Sequence, residues 1–110
     1  MPAPAAIRYK KPTVSIITPT ENRAAFLAQA LKYVRDQDYP HLEWLILDTS
    51  PEPDKTFVDL NDPNIHYRHY TGPRLTLGGK RNHLAELATG EIIVQFDDDD
   101  FYAPHYVSRM

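Results

Sequence analysis

Apolar positions along this chain switch between a two-residue and a three-to-four-residue period, and the switches mark out its predicted elements. Val14-Ser15-Ile16-Ile17-Thr18 is a short β-branched run closed by Pro19, and reads as a first, buried strand. Phe26, Leu27, Ala30, Leu31 and Val34 follow at helical spacing, with Asn22 placed to cap that helix and Tyr39-Pro40 to stop it. Leu42 to Leu47 forms a second strand that ends at Asp48. Beyond Pro51 and Pro53 a short helix is expected from Lys55 to Leu60, and Asp62-Pro63-Asn64 is turn chemistry. Ile65, Tyr67 and His69 alternate with His66, Arg68 and Tyr70, a pattern suited to a sheet edge. A loop from Thr71 to Gly79 leads into a helix carrying Leu84, Ala85, Leu87 and Ala88, with Gly90 where a left-handed C-cap is wanted. Glu91 to Phe96 is the fourth strand, built on the apolar run Ile92-Ile93-Val94, and Pro104 fits the first turn of a further helix.

Strands separated by helices predict right-handed βαβ units, hence an α/β fold with a mostly parallel sheet and flanking helices. Ligands in such sheets bind beyond the carboxyl ends of the strands, where the strand order reverses. With the fourth strand beside the first, Pro19-Thr20-Glu21-Asn22, Asp48 and Asp97 would line a single crevice.

The 110 residues allow one domain, expected over 13–110, after a flexible tail over 1–12. A 42% hydrophobic share is ordinary for a globular chain, and a net charge of −3 argues against a nucleic-acid surface. The sequence contains no cysteine, its apolar runs are too short to span a bilayer, and its start lacks the order of a secretory signal. A cytoplasmic location is the default expectation.

The chemistry concentrates at Phe96-Asp97-Asp98-Asp99-Asp100. Two carboxylates about 5 Å apart at an effective dielectric of about 20 repel by roughly 3 kcal/mol, which open water or a hard cation relieves. A divalent ion held by one or two carboxylates and completed by phosphates is the usual magnesium-type arrangement. The run is therefore read as a metal and diphosphate site, against the plainer alternative of a solvated acidic turn. Asp48, at the second strand's end, is a candidate for gripping a base or ribose. Lys80-Arg81-Asn82 after Gly78-Gly79 is placed to meet phosphate oxygens at a helix start. A phosphate-binding P-loop fails on spacing, because Arg74 and Arg81 stand where glycine and Ser or Thr are required. No Gly-x-Gly-x-x-Gly follows the first strand, which argues against dinucleotide binding. The five histidines show no metal-like pairing except His66 and His69, which face opposite ways on a strand and read as structural.

Five segments together resemble the inverting, nucleotide-diphosphate-sugar-dependent glycosyltransferases of family 2. They are Val14 to Arg23, Leu45-Ile46-Leu47-Asp48, Gly79-Lys80-Arg81-Asn82, Ala88-Thr89-Gly90-Glu91-Ile92-Ile93, and Phe96 to Asp100 followed by Pro104. The resemblance implies the N-terminal half of a GT-A domain with a Rossmann-like sheet. It implies that Pro19, Thr20 and Glu21 border the nucleotide base, with Asp48 contacting it and Lys80 and Arg81 near the base or diphosphate. It further implies that Asp97 and Asp98 reach the ribose, that Asp97 and Asp99 bind Mn2+ or Mg2+, and that a UDP-sugar is the default donor.

Two positions depart from the family pattern. Glu21 stands where an aromatic residue is usual, and Asp48-Thr49-Ser50-Pro51 replaces a common Asp-Asp-Gly-Ser turn. The family's general base and acceptor site lie after the acidic motif, so they are expected beyond residue 110 and the chain is expected to be inactive alone. An uncovered fourth strand would also favour homo-oligomers. The alternatives are a non-catalytic relic or self-associating module of the same fold, and a nucleotidyltransferase, which would want a glycine-rich loop after the first strand.

Overall fold

Four parallel strands in the order β3-β2-β1-β4 carry the chain: β1 (Val14–Thr20), β2 (Leu42–Asp48), β3 (Ile65–His69) and β4 (Ile92–Gln95). The computed structural model describes residues 12–109. All but the last residue of the expected 1–12 tail lies outside that range. Between the strands run α1 (Ala24–Arg35), α2 (Lys55–Val58) and α3 (Leu77–Leu87).

Both central strands are buried on two faces, which explains their near-continuous apolar sequences. Val14, Ile16, Trp44, Ile46, Val94 and Phe96 pack on one side against Leu27, Ala30 and Val34 of α1, with Phe57, Tyr102 and Val107. Ile17, Leu45 and Leu47 pack on the other side against Leu84 of α3. Polar residues inside these layers are paired. Trp44 Nε1 donates to Thr18 Oγ1 at 2.8 Å, and Ser15 Oγ donates to Glu43, which also accepts from the Thr89 N–H and hydroxyl.

β1 runs two residues further than its sequence suggests, through Pro19 to Thr20. Even-numbered β1 residues address β2, as Val14 N–H does to His41 O, whereas odd-numbered ones address β4, as Ile17 O does to Phe96 N–H. The missing Pro19 N–H therefore falls on the β4 side, where pairing has already ended at Ile17–Gln95, and costs no ladder bond. β1 continues beside β2 alone as far as Thr20–Asp48.

Asn22 does not cap α1. It takes a left-handed conformation (φ 55°) and donates its N–H to Ser50 Oγ at 2.7 Å, while Arg23 occupies the cap position without a side-chain bond. α1 stops at Arg35, short of Tyr39-Pro40. There the Gln37 amide donates to Tyr33 O and Ala103 O and accepts from Val107 N–H. α3 begins at Leu77, so Gly78 and Gly79 lie inside it; the Thr76 hydroxyl accepts the Gly79 N–H at 3.0 Å and sets the start earlier than the glycines suggest. Gly90 is not a left-handed cap either, since no glycine among the described residues has positive φ. A Cβ there would stand 2.5 Å from Ser15 Oγ and 2.8 Å from both Ser15 N and Thr13 O, so close approach to β1 requires the glycine.

β4 is shorter and less buried than its apolar run suggests. Val94 is 3% exposed, but Ile92 and Ile93 are each 46% exposed on an edge strand. After it, residues 104–109 form turns in place of the expected helix, held by Asp38 N–H to Pro104 O and by the Gln37 bonds. Among the described residues no helix is long and apolar enough to cross a membrane.

Candidate functional site

Because all four strands run parallel, the carboxyl ends of β1, β2 and β4 and the start of α3 meet at one end of the sheet. A cleft of about 830 Å³ opens there. Its acidic wall is the turn after β4. Asp98 is 8% exposed and accepts the Thr20 hydroxyl at 2.7 Å, so the last residue of β1 anchors the centre of the acid run. Asp97 donates its N–H to the Tyr102 hydroxyl at 2.7 Å, and its carboxylate lies 3.4 Å from both Arg81 Nη2 and Gln95 Nε2. Asp99 lies 2.8 Å from Arg23 Nη1, which also reaches Asp98 at 3.6 Å. These contacts, the Asp99 hydrogen bond foremost, raise the Arg23 pKa above its usual value. Burial, with Asp97 beside it, pushes the Tyr102 hydroxyl up to about 12.

The basic wall comes from the loop before α3 and its first turn. Arg74, Leu75, Thr76, Leu77, Lys80 and Arg81 line it. A helix start already favours anions, and these cations add to that field. The Nε–H of Arg81 is buried with no hydrogen-bond partner among the described residues. Glu21 sits between the walls: its carboxylate accepts the Thr49 hydroxyl at 2.7 Å and lies 3.4 Å from Lys80 Nζ. The Thr49 hydrogen bond, then the Lys80 charge, hold it below the usual carboxylate range.

The cleft thus gathers Pro19, Thr20, Glu21, Lys80, Arg81, Asp97, Asp98 and Asp99 from the sequence reading. Asp48 is not on its wall. It is 3% exposed, accepts the Ser50 N–H and the Ser50 and Tyr67 hydroxyls, and lines a smaller neighbouring hollow beside Thr20 and Asn22. Burial, then its hydrogen bond to Asp48, raises the Tyr67 hydroxyl pKa. Five residues of the cleft were not on the sequence-derived list, Leu75, Thr76 and Leu77 of the loop wall and two cations, Arg23 and Arg74. Arg23 was detectable as the last residue of the β1 motif, whereas Arg74 lies in an aperiodic loop and carries no local signal.

Asp97 and Asp99 offer hard oxygen donors, and among the described residues no group of three or more His, Cys, Asp or Glu side chains could hold a metal ion. That donor set suits a cation whose remaining ligands are phosphates and water, and does not suit an all-protein cage. Asp99 would have to exchange or share Arg23.

Residues 15–110 match the profile of glycosyl transferase family 2. WcaA of Escherichia coli (strain K12), named for glycosyl transfer in colanic acid biosynthesis, is 40% identical over 103 residues, covering 88% of this chain and 36% of that protein. The GalNAc(5)-diNAcBac-PP-undecaprenol beta-1,3-glucosyltransferase of Campylobacter jejuni is 32% identical over 93 residues, covering 81% and 30%. The chain spans about a third of the length of these relatives. The mannosyltransferase PcManGT of Pyrobaculum calidifontis, solved with GDP-Man and Mn2+, superposes with a TM-score of 0.68 at 28% identity, covering 87% of this chain and 30% of that one. Staphylococcus aureus TarS residues 1–349, solved with UDP, superposes with a TM-score of 0.75 at 23% identity, covering 88% and 30%, and supports the fold.

Proposed function

This chain belongs to glycosyl transferase family 2, and on that premise we propose that its cleft holds the nucleotide-diphosphate-sugar donor of an inverting transfer to an acceptor hydroxyl. The observation that carries the reading is one cleft whose acidic turn faces Arg23, Arg74, Lys80 and Arg81. Carboxylates alone would repel a diphosphate, and a diphosphate drawing Arg81 and Arg23 to itself would leave Asp97 and Asp99 unpaired beside it. The two walls together suit a diphosphate bound with a divalent cation. PcManGT, with GDP-Man and Mn2+, supports the same pairing.

In this reading Asp97 and Asp99 would hold Mn2+ or Mg2+, which would supply Lewis-acid neutralisation of the charge on the nucleotide diphosphate. Arg81 spends its free Nε–H, and Lys80 and Arg74 their charge, on phosphate oxygens. Asp98, fixed by Thr20, orients the ribose. Pro19, Thr20 and Glu21 border the base, and Asp48 shapes the turn behind it through Ser50. In this reading every acid lining the cleft is engaged in holding the donor, Asp97 and Asp99 with the metal, Asp98 with the ribose and Glu21 with the base, so none is assigned to take a proton from an acceptor. The chain by itself therefore binds donor without transferring sugar.

Calorimetric titration of GDP and UDP, with and without Mn2+, tests this against the chain and its Asp99→Ala variant. Metal-dependent binding of at least one nucleotide, lost in the variant, is expected. Binding that ignores both Mn2+ and the substitution would overturn the metal assignment. A second reading, self-association through the open edge of β4, is favoured by the half-exposed Ile92 and Ile93.

A further inference from the structure

We propose that Glu21 selects guanine, making the donor of this cleft a guanosine-diphosphate sugar; the inference rests on the donor-site reading above. A side cavity of about 320 Å³ borders the main cleft, and Glu21, Arg74, Leu75 and Lys80 belong to the walls of both. The side cavity has flat and apolar surfaces in Tyr70 and Pro51. The Tyr70 ring is held by its hydroxyl bond to Pro73 O at 2.8 Å and by an edge contact with His83 at 5.9 Å. A diphosphate drawn to the charged cleft leaves its base beside this cavity, and Glu21 stands at the junction.

The chemistry of Glu21 decides which base. A carboxylate has about four acceptor sites on its two oxygens. Oε1 accepts from Thr49 and, at 3.4 Å, from Lys80, while no described residue bonds Oε2. Acceptor capacity for two further donors remains. Guanine presents two adjacent donors, its N1–H and its 2-amino group. Uracil presents one N–H between two carbonyl oxygens, whose lone pairs would face the negative charge. Adenine and cytosine each set one amino donor beside a bare ring nitrogen. Guanine alone matches an ionised carboxylate without placing a lone pair against it. Asp48, the other carboxylate nearby, is closed to a ligand by Ser50 and Tyr67.

Titration of GDP, UDP, ADP and CDP in the presence of Mn2+ against the full chain and its Glu21→Gln variant is the test. The amide keeps the side-chain length but replaces one acceptor by a donor. A two-bond contact of this kind discriminates by roughly five- to hundredfold, so GDP should exceed UDP by that factor in the wild type. Glu21→Gln should lose most of the preference, with GDP weakened and UDP held or strengthened, because the amide N–H can meet a uracil carbonyl. UDP equal to or tighter than GDP would overturn the inference and leave the donor site standing. A GDP preference that survives Glu21→Gln would also overturn it. Failure of all four nucleotides to bind would sink the donor reading and this inference together.

Discussion

Replacing Gly90 with alanine adds one carbon where three atoms already stand. Its ideal Cβ position lies 2.5 Å from Ser15 Oγ, 2.8 Å from Ser15 N and 2.8 Å from Thr13 O. The hydroxyl could rotate away, but the other two atoms belong to the backbone of β1 and its approach. Thr13 O also accepts the Glu91 N–H that starts the pairing of β4 with β1. Forcing such a contact costs about 1–3 kcal/mol. Displacing Ser15 Oγ also removes its bond from Gly90 N–H, worth roughly 0.5–1.5 kcal/mol. Because Gly90 has no positive φ, alanine recovers about 0.4–1 kcal/mol by restricting the unfolded chain. The balance is a loss of about 0.5–4 kcal/mol, and at roughly 4–8 °C per kcal/mol for a domain of this size the midpoint should fall by at least about 2 °C. Thermal unfolding followed by far-ultraviolet circular dichroism reads this directly. Gly78→Ala is the internal contrast: Gly78 lies inside α3, its Cβ would meet nothing nearer than Thr76 Oγ1 at 4.0 Å, and it should gain about 0.5–1 kcal/mol. A Gly90→Ala midpoint at or above the wild type would refute the claim that close packing on β1 dictates that glycine.

Thr20→Val leaves the buried Asp98 carboxylate short of its hydroxyl donor and should cost about 1–3 kcal/mol in urea unfolding, with weaker nucleotide binding in calorimetry. Glu43 is held below its usual pKa of 4.5: burial works to raise it, and the bonds from Ser15 and Thr89 prevail. A depressed folded pKa stabilises the fold above the unfolded value and loses that contribution as pH falls. Glu43→Gln should therefore be less stable than the wild type at neutral pH, and the gap should close as pH drops below 4.5 in pH-resolved denaturation curves. Ile93→Lys places a charge on the open β4 edge and should abolish concentration-dependent self-association in light scattering; wild-type protein that stays monomeric at high concentration would dismiss that association.

The sheet is legible in the sequence because β1 and β2 are covered on both faces, and two-sided burial leaves almost no choice but β-branched and apolar residues. The cleft is legible for a related reason, since a parallel sheet delivers each strand-end motif to the same side. What escapes local reading depends on distant partners. Asn22 has the side chain of a cap, but the Ser50 hydroxyl after β2 draws its N–H into another geometry. Gly90 looks like a helix stop, and only the approach of β1 reveals a steric role. Thr76 overrides two glycines to start α3 early. Asp48 resembles Asp97 in position, yet the Tyr67 hydroxyl from the neighbouring strand turns it inward. Arg74 joins the cleft by loop geometry alone.

The acidic turn is clamped from both ends. Phe96 stacks on Tyr102 at 3.8 Å, Asp97 N–H meets the Tyr102 hydroxyl, and Gln37 ties Ala103 and Val107 to the end of α1. The opposite jaw is tied mainly at its two ends: Tyr70 N–H donates to Asp48 O where the loop before α3 begins, Gly79 N–H donates to Thr76 Oγ1 where it closes, and between them the Tyr70 hydroxyl donates to Pro73 O. Any closing of the cleft over a ligand would therefore fall to the basic loop, against an anvil of carboxylates fixed from both sides. Arg74, riding on that loop, would arrive last and leave first, which makes it a control point for the residence time of whatever the cleft holds.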